Sequence, residues 1–369
     1  MLRGWSQACS YDRKHSPAET FFPLALRNEL PAIEAELHGL ARLKSEHAVT
    51  ALSPTLSPLP SMGKPSPQPS DGTTGHSTKP ASGQVAGHPA CGRGGNSENP
   101  CSIPAGEEAN VARLLVELRD GLMVESVLLP LGGLCVSTQV GCAVGCVFCM
   151  SGRDGLLRQL GSAEIVAQVV LARQRRAVSK VVFMGMGEPA HNLDNVLEAI
   201  EVLGTQGNIG HKNLVLSTVG DLRVFERLPL ERVKPALALS LHTTDAALRA
   251  RLLPHAPHIA IEELVECGEV YARATHHPVQ YQWTLIEDIN DSDAEMERVA
   301  QLLSGKYAVM NFIPFNEVDG LGYRCPSSER TASMVQTLKR HGILARIRNS
   351  AGQEIEGACG QLRARAVKV

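Results

Sequence analysis

The sequence predicts an α/β fold, because short apolar runs rich in β-forming residues alternate with longer helical stretches through residues 107–369. Strands that alternate with helices in this way form parallel βα units. An open or closed barrel of such units fits the spacing best, and a doubly wound sheet is the alternative. The six predicted parallel strands span residues 180–186, 213–219, 236–241, 280–286, 308–313 and 344–348.

Helices are predicted between most of these strands. Residues 163–177 follow Ser162, a residue type that caps helix N-termini, and residues 245–252 form a second helical stretch. Because ligand-binding groups of parallel α/β folds gather at the C-terminal ends of the strands, functional residues are expected there.

The chain ahead of these strands has a different composition. Residues 1–50 predict a short helical segment, since Ile33, Leu37 and Leu40 recur at helical spacing within residues 30–43. Residues 51–106 hold 10 of the 22 prolines, and half of their positions are Pro, Ser or Gly. Such a composition buries too little apolar surface to offset its ordering entropy, which predicts a disordered N-terminal linker.

Residues 107–369 are predicted to form the folded domain. Its first part, residues 109–118 and 124–130, predicts a strand pair that leads into residues 134–140. No stretch of the sequence has the 18 to 20 apolar residues, roughly, of a membrane span, and the polar N-terminus lacks a signal-peptide core. A cytoplasmic protein is therefore expected.

Charge and cysteine content narrow the chemistry. The formal net charge of -2 argues against a chain that is strongly basic throughout, although it says nothing about local patches. Ten cysteines without an even disulfide-like framework suit a reducing compartment and metal or thiol chemistry.

Three cysteines stand close together in the pattern C-x3-C-x2-C, at Cys142, Cys146 and Cys149. A closed structural zinc site has four ligands, and no fourth cysteine lies nearby. A cubane iron-sulfur cluster has four irons, so three cysteines would leave one iron open to a reacting ligand. This open position is the leading hypothesis.

Small polar groups fall at the predicted strand ends. Glu188 lies in a Gly-Glu-Pro turn after one strand and could accept hydrogen bonds from an amine, while nearby glycines would let the backbone approach a ligand. Further groups are Ser217, Ser240 with Leu241 and His242, and Asn316. Singly each is typical of a cap or turn, but together they indicate a binding site.

The cysteine pattern with an aromatic residue before its last cysteine, followed by the Gly-Glu-Pro strand end, resembles the radical S-adenosylmethionine superfamily. Residues 134–142, 184–189, 311–316 and 358–362 are similar to motifs of the RlmN/Cfr group of RNA adenine methyltransferases. The resemblance covers roughly residues 113–362 and implies a partial (β/α)6 barrel of the radical SAM type.

The resemblance implies two cofactors. Cys142, Cys146 and Cys149 would bind one 4Fe-4S cluster, and two molecules of S-adenosylmethionine would be used per turnover. The positions that match the family's cofactor contacts are Gly187, Glu188, Ser217, Ser240, Leu241, His242 and Asn316.

The resemblance also assigns catalytic roles to residues that the pattern alone would treat as structural. Cys359 would carry the methyl group, Cys135 would resolve the covalent intermediate through a transient disulfide, and Glu125 would be the general base. A radical is required, since an adenine C–H at C2 or C8 is neither nucleophilic nor acidic enough for ordinary methyl transfer. The implied reaction is methylation at C2, in preference to C8.

The implied partners are ribosomal RNA, with transfer RNA as a second candidate, and an electron donor such as flavodoxin or ferredoxin; the chain is expected to be a monomer. Relatives of the RlmN type usually carry a compact N-terminal RNA-binding domain, which residues 1–106 do not resemble. Ala351 also replaces an expected arginine. Candidate RNA contacts are Arg153, Arg158, Arg346, Arg348, Arg363 and Arg365.

Two other classes of protein stay open. One is a radical enzyme that acts on a protein or a small molecule. The other is a non-catalytic iron-sulfur or zinc protein, which would require neither Cys135 nor Cys359.

Overall fold

A large sheet organises the chain. The computed structural model describes residues 2–8, 24–48, 111–318, 320–348 and 352–364. Strands within these ranges are β1 Ala41–Ala48, β2 Ala112–Leu118, β3 Met123–Leu129, β4 Gly133–Cys135, β5 Gln139–Gly141, β6 Leu156–Gln159, β7 Lys180–Phe183, β8 Leu214–Thr218, β9 Ala236–Ser240, β10 Val279–Leu285, β11 Ala308–Pro314 and β12 Leu344–Ile347.

The helices of the same ranges mostly connect these strands. They are α1 Leu2–Ser6, α2 Leu24–Gly39, α3 Ser162–Arg173, α4 Leu193–Thr205, α5 Leu222–Arg227, α6 Ala246–Leu252, α7 Ile261–Thr275, α8 Asp293–Leu303 and α9 Ser328–Arg340. In α4 the apolar residues Val196, Ile200 and Leu203 recur at helical spacing and are buried in the core.

The main sheet has the order β1-β2-β3-β4-β7-β8-β9-β10-β11-β12, while β5 and β6 form a separate pair. The strands from β4 through β12 in this order pair in parallel, and β1 to β4 pair antiparallel. The predicted α/β fold with parallel strands is therefore confirmed, as is the strand pair β2 and β3. The predicted strand bounds differ from the observed ones by a few residues at most.

The sheet is curved. Side chains of β4 and β11 line the same cavity of about 310 Å³, although four strands separate them in the sheet order. In a flat sheet these two strands would stand roughly 24 Å apart, at about 4.8 Å per strand. A cavity of this size reaches both only if the sheet wraps around it, which is the barrel arrangement and not the doubly wound one.

The cap of α3 corrects one detail of the sequence prediction. The N-cap is Gly161, and Ser162 is the first residue of the helix. The backbone N–H of Gly161 donates to the carboxylate of Glu164 over 2.9 Å, so the acidic side chain in the first turn closes this end. In α6 the predicted start is confirmed, because Asp245 accepts a hydrogen bond from the N–H of Leu248.

The N-terminal residues contribute more structure than predicted. The predicted helix exists as α2, but it ends at Gly39, and the chain continues as β1. Strand β1 pairs antiparallel with β2, with Ala41 opposite Leu118 and Ala48 opposite Ala112. Residues 41–48 therefore belong to the main sheet. The predicted linker, residues 51–106, lies outside the described residues.

Candidate active site

The three clustered cysteines line a cavity at the C-terminal ends of the parallel strands. This triad cavity, of about 150 Å³, is bounded by Cys142, Cys146 and Cys149. Strand-end residues complete its wall: Gly187, Glu188, Ser217, Ser240, His242 and Asn316. The structure thus brings together the cysteines and all but one of the residues predicted to contact a cofactor.

Backbone contacts fix the loop that carries the cysteines. The N–H of Cys142 donates to the carbonyl of Gly155 over 3.1 Å, and the N–H of Cys149 donates to the carbonyl of Cys146 over 3.0 Å. Gly141, at φ +81°, precedes the loop, and a Cβ there would lie 2.0 Å from the Gly155 oxygen. This position therefore requires glycine, because a side chain would displace the loop.

The three thiols suit a polynuclear cluster. Burial raises the pKa of Cys142 to about 12 and also raises the pKa of Cys149, so that a bound cation is needed to hold them as thiolates. Within the described part of the chain, no three His, Cys, Asp or Glu side chains converge tightly enough for a single metal ion. A cubane binds each cysteine to a different iron and does not need such convergence.

Glu188 is a buried carboxylate at the wall of the triad cavity. Its oxygens accept hydrogen bonds from the N–H groups of Ala190 and Val219, over 3.1 and 3.0 Å. Burial nevertheless raises its pKa to about 7, because these bonds only partly replace the lost hydration. A cationic ligand such as an ammonium group would restore the ionised form.

His242 is a neutral histidine in the same wall. Its Nδ1 accepts a hydrogen bond from the N–H of Thr284 over 3.0 Å, and its ring packs edge-on against Phe148 at 4.9 Å between centroids. Burial, followed by the positive charge of Arg249, lowers its pKa to about 3. The ring therefore stays uncharged at physiological pH.

Two predicted cofactor contacts differ from expectation. Leu241 does not line the cavity, since its side chain is buried in the core and its N–H donates to the carbonyl of Gln282. Gly187 lines the cavity, but the close approach that it permits is to the protein itself. At φ +102°, a Cβ there would lie 2.6 Å from the side chain of Gln139.

A second and larger cavity, of about 310 Å³, contains the two isolated cysteines, Cys135 and Cys359. We call it the thiol-pair cavity. Cys359 also lines the triad cavity, so it stands in the wall that the two share. Both cysteines are free thiols. Burial, and then the proximity of Cys359, raises the pKa of Cys135 to about 12, which keeps its thiol protonated.

The tail that carries Cys359, residues 352–364, is held against the cysteine loop. The N–H of Met150 donates to the carbonyl of Gly360, and the hydroxyl of Ser151 donates to the carbonyl of Leu362, both over 2.7 Å. A side chain would not fit at Gly360, which has φ +87°, because a Cβ there would approach the carbonyl oxygen of Phe148 to 3.0 Å. These contacts place Cys359 beside Cys149.

Glu125 lies outside both cavities. Its carboxylate is buried, pairs with Arg113 over 3.1 Å, and accepts hydrogen bonds from the N–H groups of Arg363 and Ala364 over 2.8 and 3.0 Å. Glu125 lies two residues from Val127, which pairs with Cys135, but its carboxylate is engaged by Arg113 and the tail and does not line the cavity that holds Cys135 and Cys359. In this arrangement it anchors the C-terminal tail, and the sequence missed this because Arg363 and Ala364 lie more than 200 residues away.

Sequence reasoning also missed Arg249. This arginine is buried beneath the triad cavity, where it donates to the backbone carbonyls of Val219 and Ser240. Its Nε has no hydrogen-bond partner. Burial lowers its pKa, and the nearby Cys146 and Glu188 partly oppose that effect. Nothing in the sequence distinguishes Arg249 from Arg251, the other arginine of α6.

Comparison with known proteins is consistent with this geometry. The sequence profile of the Radical SAM superfamily matches residues 136–300. A probable RNA methyltransferase of Azoarcus sp. strain BH72 is 58% identical over 369 residues, which is 100% of this chain and 90% of that protein. A probable RNA methyltransferase of Pseudomonas aeruginosa strain UCBPP-PA14 is 56% identical over 370 residues, which cover 100% of this chain and 90% of that protein.

A solved structure agrees with these relatives. The crystal structure of a radical SAM methyltransferase from Sphaerobacter thermophilus is similar to this chain at a TM-score of 0.67 and 37% identity, covering 71% of this chain and 80% of that one. The fold and its cysteine loop are therefore those of a radical SAM enzyme. The chain belongs to the radical SAM RNA methyltransferases.

This family implies a 4Fe-4S cluster and S-adenosylmethionine, and the three thiols and polar strand ends of the triad cavity fit both. An RNA substrate is also implied. Of the helices in the described ranges, none is both long enough and apolar enough to span a bilayer. The cytoplasmic location stays a prediction.

Proposed function

We propose that this chain methylates a ring carbon of adenine in RNA, C2 in preference to C8, through a methyl group carried by Cys359. The supporting observation is the position of Cys359 in the wall shared by the triad cavity and the thiol-pair cavity. A sulfur there can face a cofactor on one side and a substrate on the other. Ribosomal RNA is the proposed substrate, with transfer RNA as the second candidate.

The triad cavity would hold the cofactors. Cys142, Cys146 and Cys149 would ligate a 4Fe-4S cluster, and the strand-end residues around Glu188 would contact S-adenosylmethionine. When bound, this pair would supply the methyl group and the radical chemistry, with two molecules of S-adenosylmethionine per product and an electron from a donor such as flavodoxin or ferredoxin. Leu241 would take part only through its backbone.

Cys135 would release the product. Its thiolate would attack the Cys359 sulfur and form an S–S bond, while the bond from that sulfur to the methylene carbon on adenine breaks. That carbon keeps the electron pair and takes up a proton from solvent to become the methyl group. An external dithiol would then reduce the disulfide. The support for this role is that both cysteines line the thiol-pair cavity as free thiols.

Glu125 as the general base is the part of the proposal that requires movement. Its carboxylate accepts hydrogen bonds from Arg363 and Ala364, and these residues would have to leave it before it could receive a ring proton. A monomer suffices for this scheme, since every proposed group comes from one chain.

The test is to reconstitute the cluster without oxygen, add reductant, S-adenosylmethionine and RNA from a strain lacking this protein, and identify modified nucleosides by mass spectrometry. We expect 2-methyladenosine. Cys359→Ala should cleave S-adenosylmethionine without modifying RNA, and Cys142→Ser should lose the cluster absorbance. Methylation of a protein or a small molecule in place of RNA would refute the proposal.

A further inference from the structure

The thiol-pair cavity has a cationic wall that the cysteine chemistry does not use. Lys180 and Arg348 both line it, and among its described lining residues none is Asp or Glu. The pKa of Lys180 is lowered by burial, and then by the charges of Arg348 and Arg346. Arg346 therefore also lies near Lys180. Three positive charges thus repel one another beside a cavity that contains the reacting sulfur atoms.

The polar contacts of these residues leave their charges uncompensated. Arg348 donates to the side-chain oxygen of Gln282 over 3.4 Å, and Arg346 donates to the side-chain oxygen of Asn311 over 2.7 Å. Both acceptors are neutral amides. Within the described ranges, none of the three cations has a carboxylate partner at ion-pair distance, and Arg346 is exposed.

The other arginines predicted to contact RNA are engaged differently. Arg158 forms ion pairs with Asp120 and Glu164, at 2.6 and 2.9 Å. Arg363 pairs with Asp154 at 2.8 Å. Arg153 donates to the carbonyl of Gly320 over 3.3 Å. Arg365 lies outside the described residues.

The position of Lys180 relative to Cys135 suggests the ligand. In the pairing of β4 with β7, Cys135 stands opposite Val182, and Lys180 lies two residues earlier on the same strand face. Two strand residues span roughly 7 Å. Lys180 therefore lies beside Cys135 and not at it, where it would meet a part of the substrate attached to the reacting base.

We propose that Lys180, Arg346 and Arg348 bind a backbone phosphate of the RNA, at or next to the adenine that reacts with Cys359. A phosphodiester supplies the negative charge that this wall lacks, and the guanidinium of Arg348 can bind two of its oxygens. This inference rests on the proposed function, because it assumes that the substrate in the thiol-pair cavity is an RNA nucleotide.

The experiment compares Lys180→Ala/Arg348→Ala with wild type in the cluster-loaded full chain. We expect the KM for RNA to rise about tenfold, since two charge-assisted contacts are lost. The slope of log affinity against log salt concentration should become shallower by about 1. Arg232→Ala is the matched control, because Arg232 is an exposed arginine whose ion pair with Glu201 lies away from both cavities.

Methylation of Cys359 is the second readout, measured by mass spectrometry of the protein without RNA. It should equal wild type in Lys180→Ala/Arg348→Ala, because neither Lys180 nor Arg348 lines the triad cavity. Lys180→Arg keeps the positive charge and should therefore retain most of the wild-type RNA affinity. Equal KM values and salt slopes for the double variant and Arg232→Ala would overturn the phosphate site.

The two proposals fail in different ways. If wild type forms no methyladenosine, the proposed function fails, but RNA binding and its salt slope still decide the phosphate site. Adenosine 5'-monophosphate distinguishes the source of the phosphate. It should compete weakly with RNA, and a free nucleotide that is methylated as efficiently as RNA would overturn the assignment to an RNA backbone.

Discussion

The side-chain amide of Asn316 donates a hydrogen bond to the carbonyl oxygen of Cys359 over 2.8 Å, and its oxygen accepts one from Gln353 over 2.6 Å. One side chain of the triad cavity wall therefore fixes the backbone of the residue proposed to carry the methyl group. A residue that matches a cofactor-contacting position in the family thus also positions the cysteine.

Asn316→Ala should reduce methylation of Cys359, because the tail loses a bond that holds it at the cavity wall. A net loss of about 1 kcal/mol in the free energy of unfolding is expected for this hydrogen bond. The measurement is the methylated fraction of Cys359 after anaerobic incubation with S-adenosylmethionine. Gln353→Ala is the control, since it touches Asn316 but not the triad cavity. Gln353→Ala should lower the methylated fraction of Cys359 but leave the affinity for the cofactor unchanged. A loss of cofactor affinity in Gln353→Ala would contradict the positioning role.

Glu125→Gln distinguishes an anchor from a base. As an anchor of Arg363 and Ala364, Glu125 is needed to place the tail, so its replacement should lower methylation of Cys359 even without RNA. As a base, it is needed only after the sulfur-linked adduct with RNA has formed. Normal methylation of Cys359 together with accumulated adduct would show the base role, and reduced methylation without adduct would show the anchor role.

Cys135→Ala should form the covalent adduct with RNA but fail to release it, because no second thiol remains to attack Cys359. The adduct is detected as a protein band that shifts on denaturing gels and returns after ribonuclease treatment. Normal turnover of this variant would refute the resolving role.

The release step in the wild-type protein should depend on pH. Since the pKa of Cys135 is raised to about 12, its thiolate fraction rises about tenfold per pH unit between pH 7 and 9. Adduct release, followed after rapid mixing at each pH, should accelerate accordingly. A pH-independent release rate would mean that the thiol is deprotonated by another group in the loaded cavity.

Glu188→Gln should stabilise the cofactor-free protein at pH 8. The folded pKa of Glu188, about 7, lies above its ordinary value of 4.5, so its stabilising contribution is present at low pH and is lost as pH rises through 7. The difference between these two pKa values corresponds to about 3 kcal/mol in the free energy of unfolding between low and high pH. Urea unfolding at pH 5.5 and 8 should show wild type less stable at the higher pH, with a smaller change in Glu188→Gln. Equal changes in both proteins would contradict the buried, raised pKa.

The sequence predicted the parallel strands and the triad cavity well, because both depend on local signals. The strands are continuous apolar runs, and Cys142, Cys146 and Cys149 are neighbours in one loop. Their strand-end partners could be anticipated because parallel strands deliver their C-terminal ends to one edge of the sheet.

Features that depend on distant contacts could not be predicted in this way. Strand β1 alternates exposed charged residues such as Arg42 and Lys44 with half-buried ones, and Leu40 and Leu43 fit helical spacing equally well. Pairing with β2 makes these residues a strand and not the end of the preceding helix. The hydrogen bonds that Glu125 accepts from residues 363 and 364 likewise join parts of the chain that are far apart in sequence.

The pairing of Ala48 with Ala112 means that the chain leaves the sheet and re-enters it at adjacent points on two neighbouring strands. The two strand ends that the intervening residues join are therefore adjacent. The entropic cost of closing a connection between such ends grows only with the logarithm of its length. This junction is therefore a natural insertion point, at which evolution or an engineer could lengthen, shorten or exchange a module without altering the register of the catalytic sheet.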